Sequence, residues 1–243
     1  MITRTYKIAD KIISINSLYE AVHTLCREYA FDGEADFFVT STMRDIAFER
    51  EKSDREALAE GRKPQDFSDD YLETLALYRK IADNMVESDC ILFHGSAIAL
   101  DGEGYLFTAK SGTGKSTHTA LWRRVFGERA VMINDDKPLI RIQNGIATVY
   151  GTPWNGKHRL GRNISAPLKA ICILTRAQEN RIVSIDKRTA LPMLVQQTHR
   201  PADVQKTAKT LQLIDSLANS VSLYRLGCNM NITAAQAAYE AMK

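Results

Sequence analysis

Residues 109 to 117 read Ala109-Lys110-Ser111-Gly112-Thr113-Gly114-Lys115-Ser116-Thr117. This stretch fits the relaxed phosphate-loop pattern, in which a small residue and four variable residues precede Gly-Lys-Ser/Thr. In that pattern small residues let consecutive backbone N–H groups surround a phosphate, the lysine bridges the outer phosphates, and the hydroxyl binds Mg²⁺. We therefore predict that all nine residues form the phosphate site of a nucleotide.

The segments on either side of the loop favour the same interpretation. Gly104–Thr108 is typical of a strand entering the loop, and Ser116–Phe126 is typical of a helix leaving it. A helix that begins at the loop directs free N–H groups and about half a positive charge at a phosphate. An ordinary turn could also contain Ser-Gly-Thr-Gly, but it would not require this order of strand, loop and helix.

Turn sequences before and after the loop predict the fold class. Asp101–Gly104 separates two apolar runs, and Asn144-Gly145, the strongest short hairpin signal, separates two more. Hairpins do not belong to the parallel sheet of the usual P-loop proteins, which is built from strand-helix-strand units. We predict an α/β (α+β) fold with a mixed, partly antiparallel sheet.

Hydrophobic periodicity predicts the other elements and two parts of the chain. Strands are expected at Ile12–Ile15, Phe37–Thr40, Ile91–Leu100, Ala130–Ile133, Leu168–Leu174 and Val221–Leu226. Helices are expected at Leu18–Tyr29, Ser68–Met85, Arg188–Thr198, Val204–Asn219 and Thr233–Met242. The charged segment 44–62 is either an exposed helix or a mobile insertion. Residues 1–88 are interpreted as an α/β or helical lead-in packed on the core, and residues 89–243 as that core.

Length and composition exclude several classes of protein. The chain has 243 residues, 44% hydrophobic and 25% charged, with a formal net charge of +3. These values predict a globular protein with a full core and without a basic tract for nucleic acid. No apolar stretch is long enough for a membrane span and no signal peptide is recognisable, so a cytoplasmic location is expected. The four cysteines show no zinc-binding spacing and are interpreted as buried thiols.

Two aspartates follow the apolar run Ala130–Ile133. Asp135 and Asp136 therefore lie where a strand ends, within reach of a metal ion and the outermost phosphate. Because successive strand residues point in opposite directions, the two carboxylates should have different roles. One would bind the metal, and the other would accept a proton from a substrate hydroxyl. A solvated turn before Pro138 is the structural alternative.

Two further groups are candidates for contact with substrate. His94 interrupts an apolar strand that runs toward the loop, where a histidine is either a packed core residue or a functional one. The Gly- and Pro-containing stretch 151–163 carries cations that could stabilise a transferring phosphoryl group, namely Lys157, His158, Arg159 and Arg162. A basic surface loop is the alternative, and the sequence does not indicate which cation would act.

Taken together, Phe93-His94-Gly95, a hairpin, the phosphate loop, a helix and a strand ending in Asp-Asp resemble the HPr serine kinase/phosphorylase family. More distantly they resemble the phosphoenolpyruvate carboxykinases. The resemblance to the two families covers about Ile91 to Leu174. The resemblance implies an ATP- and Mg²⁺-dependent kinase. Position by position, Lys115 would bind the β- and γ-phosphates, Ser116 and Asp136 would hold Mg²⁺, Asp135 would be the base, and His94 would lie near the transferred phosphate.

The acceptor side departs from this resemblance. The stretch 151–163 stands where HPr kinases have their glycine-rich second signature, but that signature is absent in its usual form. The oxaloacetate-binding residues of the carboxykinases are not recognisable in the sequence either. The expected phosphoryl acceptor is a serine of a protein or peptide, and a small-molecule hydroxyl is the alternative acceptor. The sequence is also compatible with a homo-oligomer. Two other functions remain: a small-metabolite kinase of the ordinary P-loop type, and a nucleotide-binding regulator without transfer activity.

Overall fold

The computed structural model describes residues 1–59, 61–156 and 158–243. Within them the chain forms two compact units, Met1–Asn84 and Met85–Lys243. No helix in the described part of the chain is long and apolar enough to cross a membrane.

The first unit contains a three-stranded sheet and three helices. Its elements are β1 (Ile2–Ile8), β2 (Lys11–Ser17), α1 (Ala21–Leu25), β3 (Phe37–Thr40), α2 (Met43–Ala59) and α3 (Asp69–Met85). The strand order is β1-β2-β3, with β1 antiparallel and β3 parallel to β2. Glu73, fully buried, accepts hydrogen bonds from the backbone N–H groups of Leu18 and Tyr19 and from the Ser41 hydroxyl. This carboxylate therefore joins α3 to the segments that follow β2 and β3.

The second unit contains the phosphate-loop sequence. Its strands are β4 (Cys90–Leu92), β5 (Ser96–Leu100), β6 (Glu103–Thr108), β7 (Ala130–Asn134), β8 (Leu139–Gln143), β9 (Ile146–Tyr150), β10 (Ser165–Arg176), β11 (Arg181–Ser184) and β12 (Ser222–Cys228). Its helices are α4 (Lys115–Phe126), α5 (Lys187–Gln197), α6 (Val204–Ser220) and α7 (Thr233–Met242).

The strands of this unit form one mixed sheet. Their order is β4-β8-β9-β10-β6-β5-β7, with β12 also paired to β10 and β11 paired to β12. The long strand β10 is parallel to β6 and β12 and antiparallel to β9, while β5 is antiparallel to both β6 and β7. The predicted fold class is therefore confirmed: the fold is α+β with a mixed, partly antiparallel sheet.

Helices cover both faces of the sheet. On one face, α5 and α6 contribute Leu194, Ile214 and Leu217 to a buried cluster with the strands. On the other face, α4 and α7 contribute Trp122 and Ala235 to a second buried cluster. This three-layer arrangement places the start of α4 beside the ends of β6 and β10.

Most of the predicted helices and strands are present, but the predicted lengths of one helix and one strand are wrong. The expected helix Leu18–Tyr29 is only the short α1 followed by a turn of 3₁₀-helix. The expected single strand Ile91–Leu100 is broken between β4 and β5, because the N–H groups of Phe93, His94 and Gly95 bond to Pro138, Gln197 and Asp136. Strands β1 and β11 were not predicted. The charged segment is helix α2 over Met43–Ala59.

Candidate functional site

The loop between β6 and α4 has a backbone that requires glycine. Gly112 and Gly114 have φ angles of +74° and +122°, in the region that favours glycine. Helix α4 begins directly after Gly114, whose carbonyl accepts the first helical bond from the His118 N–H at 2.9 Å. The Thr113 hydroxyl and N–H both donate to the Lys110 carbonyl, at 2.8 and 3.2 Å. The loop is thus a closed turn that ends at a helix N-terminus, an arrangement suited to an anion.

Lys115 lies over this loop. Its Nζ donates to the Ala109 carbonyl at 3.3 Å, so the ammonium group is held close to the backbone of the loop. Burial lowers the pKa of Lys115, and the nearby negative charge of Asp136 opposes that shift. A partly desolvated cation beside a helix N-terminus would gain from an incoming anion such as a phosphate. Ser116 and Thr117, in the first turn of α4, are exposed.

His94 and Asp136 meet beside Lys115. The His94 Nε2 lies 3.5 Å from Asp136 Oδ1, and the two segments are also joined by the Gly95 N–H bond to the Asp136 carbonyl at 3.0 Å. Burial lowers the pKa of His94, and the positive charge of Lys115 lowers it further. His94 is therefore neutral at pH 7, where it can donate one hydrogen bond and accept another.

Asn134, the last residue of β7, holds the turn that follows this strand. Its side chain has 0% exposure, and its Oδ1 accepts from the N–H groups of Asp136 at 2.9 Å and Lys137 at 2.7 Å. Its Nδ2 lies within hydrogen-bond distance of the Thr152 carbonyl, the Thr152 hydroxyl and the Trp154 carbonyl, at 3.0 to 3.2 Å. One buried amide thus joins the turn after β7 to the segment after β9.

Asp135 makes its hydrogen bond to the segment that follows β9. It is 5% exposed, and its Oδ1 accepts from the Gly156 N–H at 2.5 Å. A side chain at residue 156 would place its Cβ 2.8 Å from the other carboxylate oxygen. A Cβ there would therefore displace the Asp135 carboxylate, and the segment that contains Gly156 covers Asp135.

The segment 151–164 folds tightly against the end of β7. Its ends are tied by the Gly151 N–H bond to the Ile164 carbonyl at 2.9 Å, and Arg162 N–H donates to the Ile133 carbonyl at 3.2 Å. Trp154, within this segment, is buried. The side chains expected to contact substrate, His158, Arg159 and Arg162, are exposed, and Lys157 lies outside the described residues.

The described residues contain no group of three or more His, Cys, Asp or Glu side chains that could hold a metal ion. Mg²⁺ in phosphate sites does not require such a group, because it uses one or two protein oxygens together with phosphate oxygens and water. The Ser116 hydroxyl and the half-buried Asp136 carboxylate are oxygen ligands of the kind that Mg²⁺ prefers. These two residues therefore fit the ion predicted from the sequence.

Sequence reasoning missed the roles of two residues that shape this site. Asn134 stands directly before Asp135, and Asn in the series Asn-Asp-Asp-Lys-Pro is a turn signal that could have identified it. Arg176, at the end of β10, donates from Nη2 to the Gly112 carbonyl at 2.6 Å. Nothing in the sequence near Arg176 indicates this contact, since the two residues meet only because β10 pairs with β6.

Comparison with known proteins places the chain in a family. The family model described as SynChlorMet cassette protein ScmC matches residues 65–231, more than half of the chain. The chain belongs to the ScmC family. The ScmC match includes the phosphate-loop sequence, both aspartates and the segment 151–164, and its description names no reaction.

No curated protein matches this ScmC-family chain. Among solved structures, it is similar to the Hpr(Ser) kinase/phosphatase from Coxiella burnetii, with 10% sequence identity and a TM-score of 0.36. That match covers 62% of this chain and 95% of the other. A likeness this distant carries no argument about activity.

Proposed function

We propose that this ScmC-family protein is an ATP- and Mg²⁺-dependent phosphotransferase that moves the γ-phosphoryl group to a hydroxyl, in particular a serine of a protein or peptide. The observation that supports the proposal is the meeting of a glycine-dependent loop at a helix N-terminus with Lys115, Asp136 and His94. This combination suits phosphoryl transfer, because its catalysis consists mainly of positioning and electrostatic stabilisation.

In this proposal the loop N–H groups and Lys115 bind the β- and γ-phosphates, with Thr117 near the α-phosphate. Ser116 and Asp136 hold Mg²⁺, which when bound neutralises charge on the phosphate oxygens. Neutral His94, beside Asp136, donates a hydrogen bond to the γ-phosphoryl group. The cations of the segment 151–164 are proposed contacts for the acceptor side.

Asp135 is the proposed base. The acceptor oxygen forms a bond to the γ-phosphorus while the bond to the β–γ bridging oxygen breaks, ADP leaves, and the hydroxyl proton passes to the Asp135 carboxylate. A base must come within hydrogen-bond distance of the proton that it takes. Since Gly156 now covers this carboxylate, the segment 151–164 must move away from it before an acceptor can bind.

The first test is nucleotide binding by Lys115→Ala. Loss of a charge-assisted contact to phosphate should weaken Mg·ATP binding roughly 10- to 100-fold, as measured by calorimetry. Replacement of the exposed Lys63 by alanine is the matched control and should leave the affinity unchanged. Equal affinities for wild type and Lys115→Ala would mean that the loop does not bind the phosphates.

The second test separates binding from transfer. Asp135→Asn keeps the shape of the side chain but removes its basicity, so ATP should still bind while turnover with a serine peptide falls by about 10² to 10⁴. Slow ATP hydrolysis serves as the readout if no peptide is accepted. Wild-type turnover with an unchanged pH profile would exclude Asp135 as the base.

One observation favours a second function, a nucleotide-binding regulator without transfer activity. The Asp135 carboxylate is almost completely enclosed, which is the state expected of a structural rather than a catalytic group. Tight Mg·ATP binding by wild type without turnover on peptides, small alcohols or water would support this function. The mixed strand order counts against a small-metabolite kinase, since those enzymes have the ordinary parallel sheet.

A further inference from the structure

One long stretch of the second unit carries positive charge and no negative charge. Residues 137–178 contain no aspartate or glutamate. They contain seven lysines and arginines, namely Lys137, Arg141, Lys157, Arg159, Arg162, Lys169 and Arg176. The whole chain has nearly equal numbers of the two kinds, 32 basic and 29 acidic residues, so this stretch differs from the rest. Its middle part is the segment 151–164, which covers Asp135.

Two arginines of this segment are anchored close to Asp135. The Arg162 N–H donates to the carbonyl of Ile133, two residues before Asp135, at 3.2 Å. The Arg159 N–H donates to the Gly156 carbonyl at 3.0 Å, and Gly156 in turn donates to Asp135. Both arginine side chains are exposed. An acceptor that displaces the segment to reach Asp135 therefore meets these two cations.

A third exposed arginine comes to the same region from another part of the chain. The His94 N–H donates to the Gln197 carbonyl at 2.7 Å, and this bond places the turn after α5, residues 198–200, beside His94. Arg200 lies in that turn with its side chain exposed. Cations from two separate segments thus surround the residues that the proposed transfer uses.

The three arginines are not engaged by the fold. In the described part of the chain, the guanidinium groups of Arg159, Arg162 and Arg200 have no hydrogen-bond or ion-pair partner. Arg129 of the same unit, by contrast, is exposed but paired with Asp101. Arg159 also has a φ of +46°, a conformation that is unfavourable for any residue with a Cβ. Backbone of this kind is concentrated at functional sites, which favours a role for the Arg159 side chain.

An acidic peptide fits this surface better than other anions do. Leu160 and Ile164 lie among the cations and are 39% and 37% exposed, so the surface offers apolar contacts as well as charge. Proteins that bind single-stranded nucleic acid stack the bases on exposed aromatic rings, whereas Trp154 of this segment is buried. Small anions bind in concave pockets, whereas these side chains stand on exposed surface.

We propose that the segment 151–164 and the turn after α5 bind a peptide whose serine is flanked by acidic residues, an inference that rests on the proposed function. Carboxylates of the peptide pair with Arg159, Arg162 and Arg200, while its serine hydroxyl reaches Asp135. The apolar side chains between the cations contact apolar residues of the peptide. The positive surface also steers the peptide toward the site, an effect that salt weakens.

The test measures the binding of a fluorescent peptide in which alanine replaces the serine, so that no transfer consumes it. One peptide has glutamates on both sides of this alanine, and its control has glutamines. Fluorescence anisotropy with wild-type protein and Mg·ATP at low salt should show the glutamate peptide bound on the order of 10-fold more tightly. Raising the ionic strength should remove most of that difference.

Variants locate the surface. Arg159→Gln with Arg162→Gln should weaken binding of the glutamate peptide about 3- to 10-fold. Arg181→Gln with Arg225→Gln is the matched control, because it removes two exposed arginines from β11 and β12, outside the segment. Charge reversal, Arg159→Glu with Arg162→Glu, should select a peptide with lysines instead of glutamates, which a variant that failed to fold could not do.

Three results would overturn the acidic-peptide surface. They are equal affinities of wild type for the glutamate and glutamine peptides, wild-type affinity in the Arg159→Gln, Arg162→Gln variant, and tighter binding of a single-stranded DNA of equal charge. The last result would assign the surface to a nucleic acid. Turnover separates this proposal from the proposed function. A serine peptide with glutamates that binds but is not phosphorylated would refute the transfer and leave the surface standing, and phosphorylation without any preference for glutamates would do the reverse.

Discussion

Asn134→Ala should destabilise the second unit strongly, because this one side chain serves two segments. Two backbone N–H groups, of Asp136 and Lys137, lose their acceptor at a cost of roughly 1 kcal/mol each. The carbonyls of Thr152 and Trp154 lose their shared donor, at roughly another 1 kcal/mol. The expected loss of unfolding free energy is therefore about 3 kcal/mol.

Urea denaturation followed by tryptophan fluorescence measures this loss. Both tryptophans of the chain, Trp122 and Trp154, lie in the second unit, so their fluorescence reports on that unit. With a denaturant slope of about 2 kcal/mol per molar urea, the midpoint should fall by about 1.5 M. Asn219→Ala removes an exposed asparagine on α6 and should shift stability by no more than about 0.5 kcal/mol.

Asn134→Asp separates the two halves of this side chain. An aspartate keeps an oxygen for the two N–H groups but turns its second oxygen toward the carbonyls of Thr152 and Trp154. Repulsion between these oxygens should make the variant no more stable than Asn134→Ala at pH 7. If both variants unfolded at the same urea concentration as Asn219→Ala, Asn134 would not organise the turn that carries Asp135 and Asp136.

Three other predictions concern the site. Asp136→Asn should weaken the Mg²⁺ dependence of ATP binding, and metal titrations identical to wild type would assign the ion to other ligands. Burial lowers the pKa of His118 to about 4, whereas it is roughly 6.5 in the unfolded chain. Between these pH values the unfolded chain binds more protons than the folded one, so the free energy of unfolding should fall as the pH drops from about 6.5 to 4. His118→Gln, which can still accept from the Trp122 indole N–H, should flatten that slope in urea midpoints. Gly114→Ala and Gly145→Ala both force alanine into a positive φ and should each cost about 1 kcal/mol, but only the former should weaken ATP binding.

Local patterns were sufficient for most of the fold. The turn at Asn144-Gly145 and the helix that begins near Ser68 were predicted correctly, because their signals lie within a few residues. The short strand β11 was missed, because an edge strand of four mostly exposed residues has little hydrophobic pattern. The prediction of one strand over Ile91–Leu100 was wrong for another reason. The apolar pattern continues through Phe93, but the backbone leaves the sheet there.

For the site, the sequence located the candidate residues but not their neighbours. It placed Asp135 and Asp136 at a strand end with different surroundings, and the structure places one against Gly156 and the other near His94. The covering of Asp135 could not be foreseen, because it depends on the path of a segment twenty residues later in the chain. The roles proposed for these residues remain predictions until binding and turnover are measured.

By itself the sequence determined the glycine-dependent loop, the strand before it, the helix after it and the mixed character of the sheet. All of these follow from short-range rules: the φ angles open to glycine, the period of a strand or helix, and the chemistry of two-residue turns. Only the tertiary structure decided that His94 meets Asp136, that Arg176 bonds to the Gly112 carbonyl and that His118 lines a cleft. Those contacts depend on which strands pair and in which register, and pairing is decided by packing between side chains of segments that are far apart in the sequence.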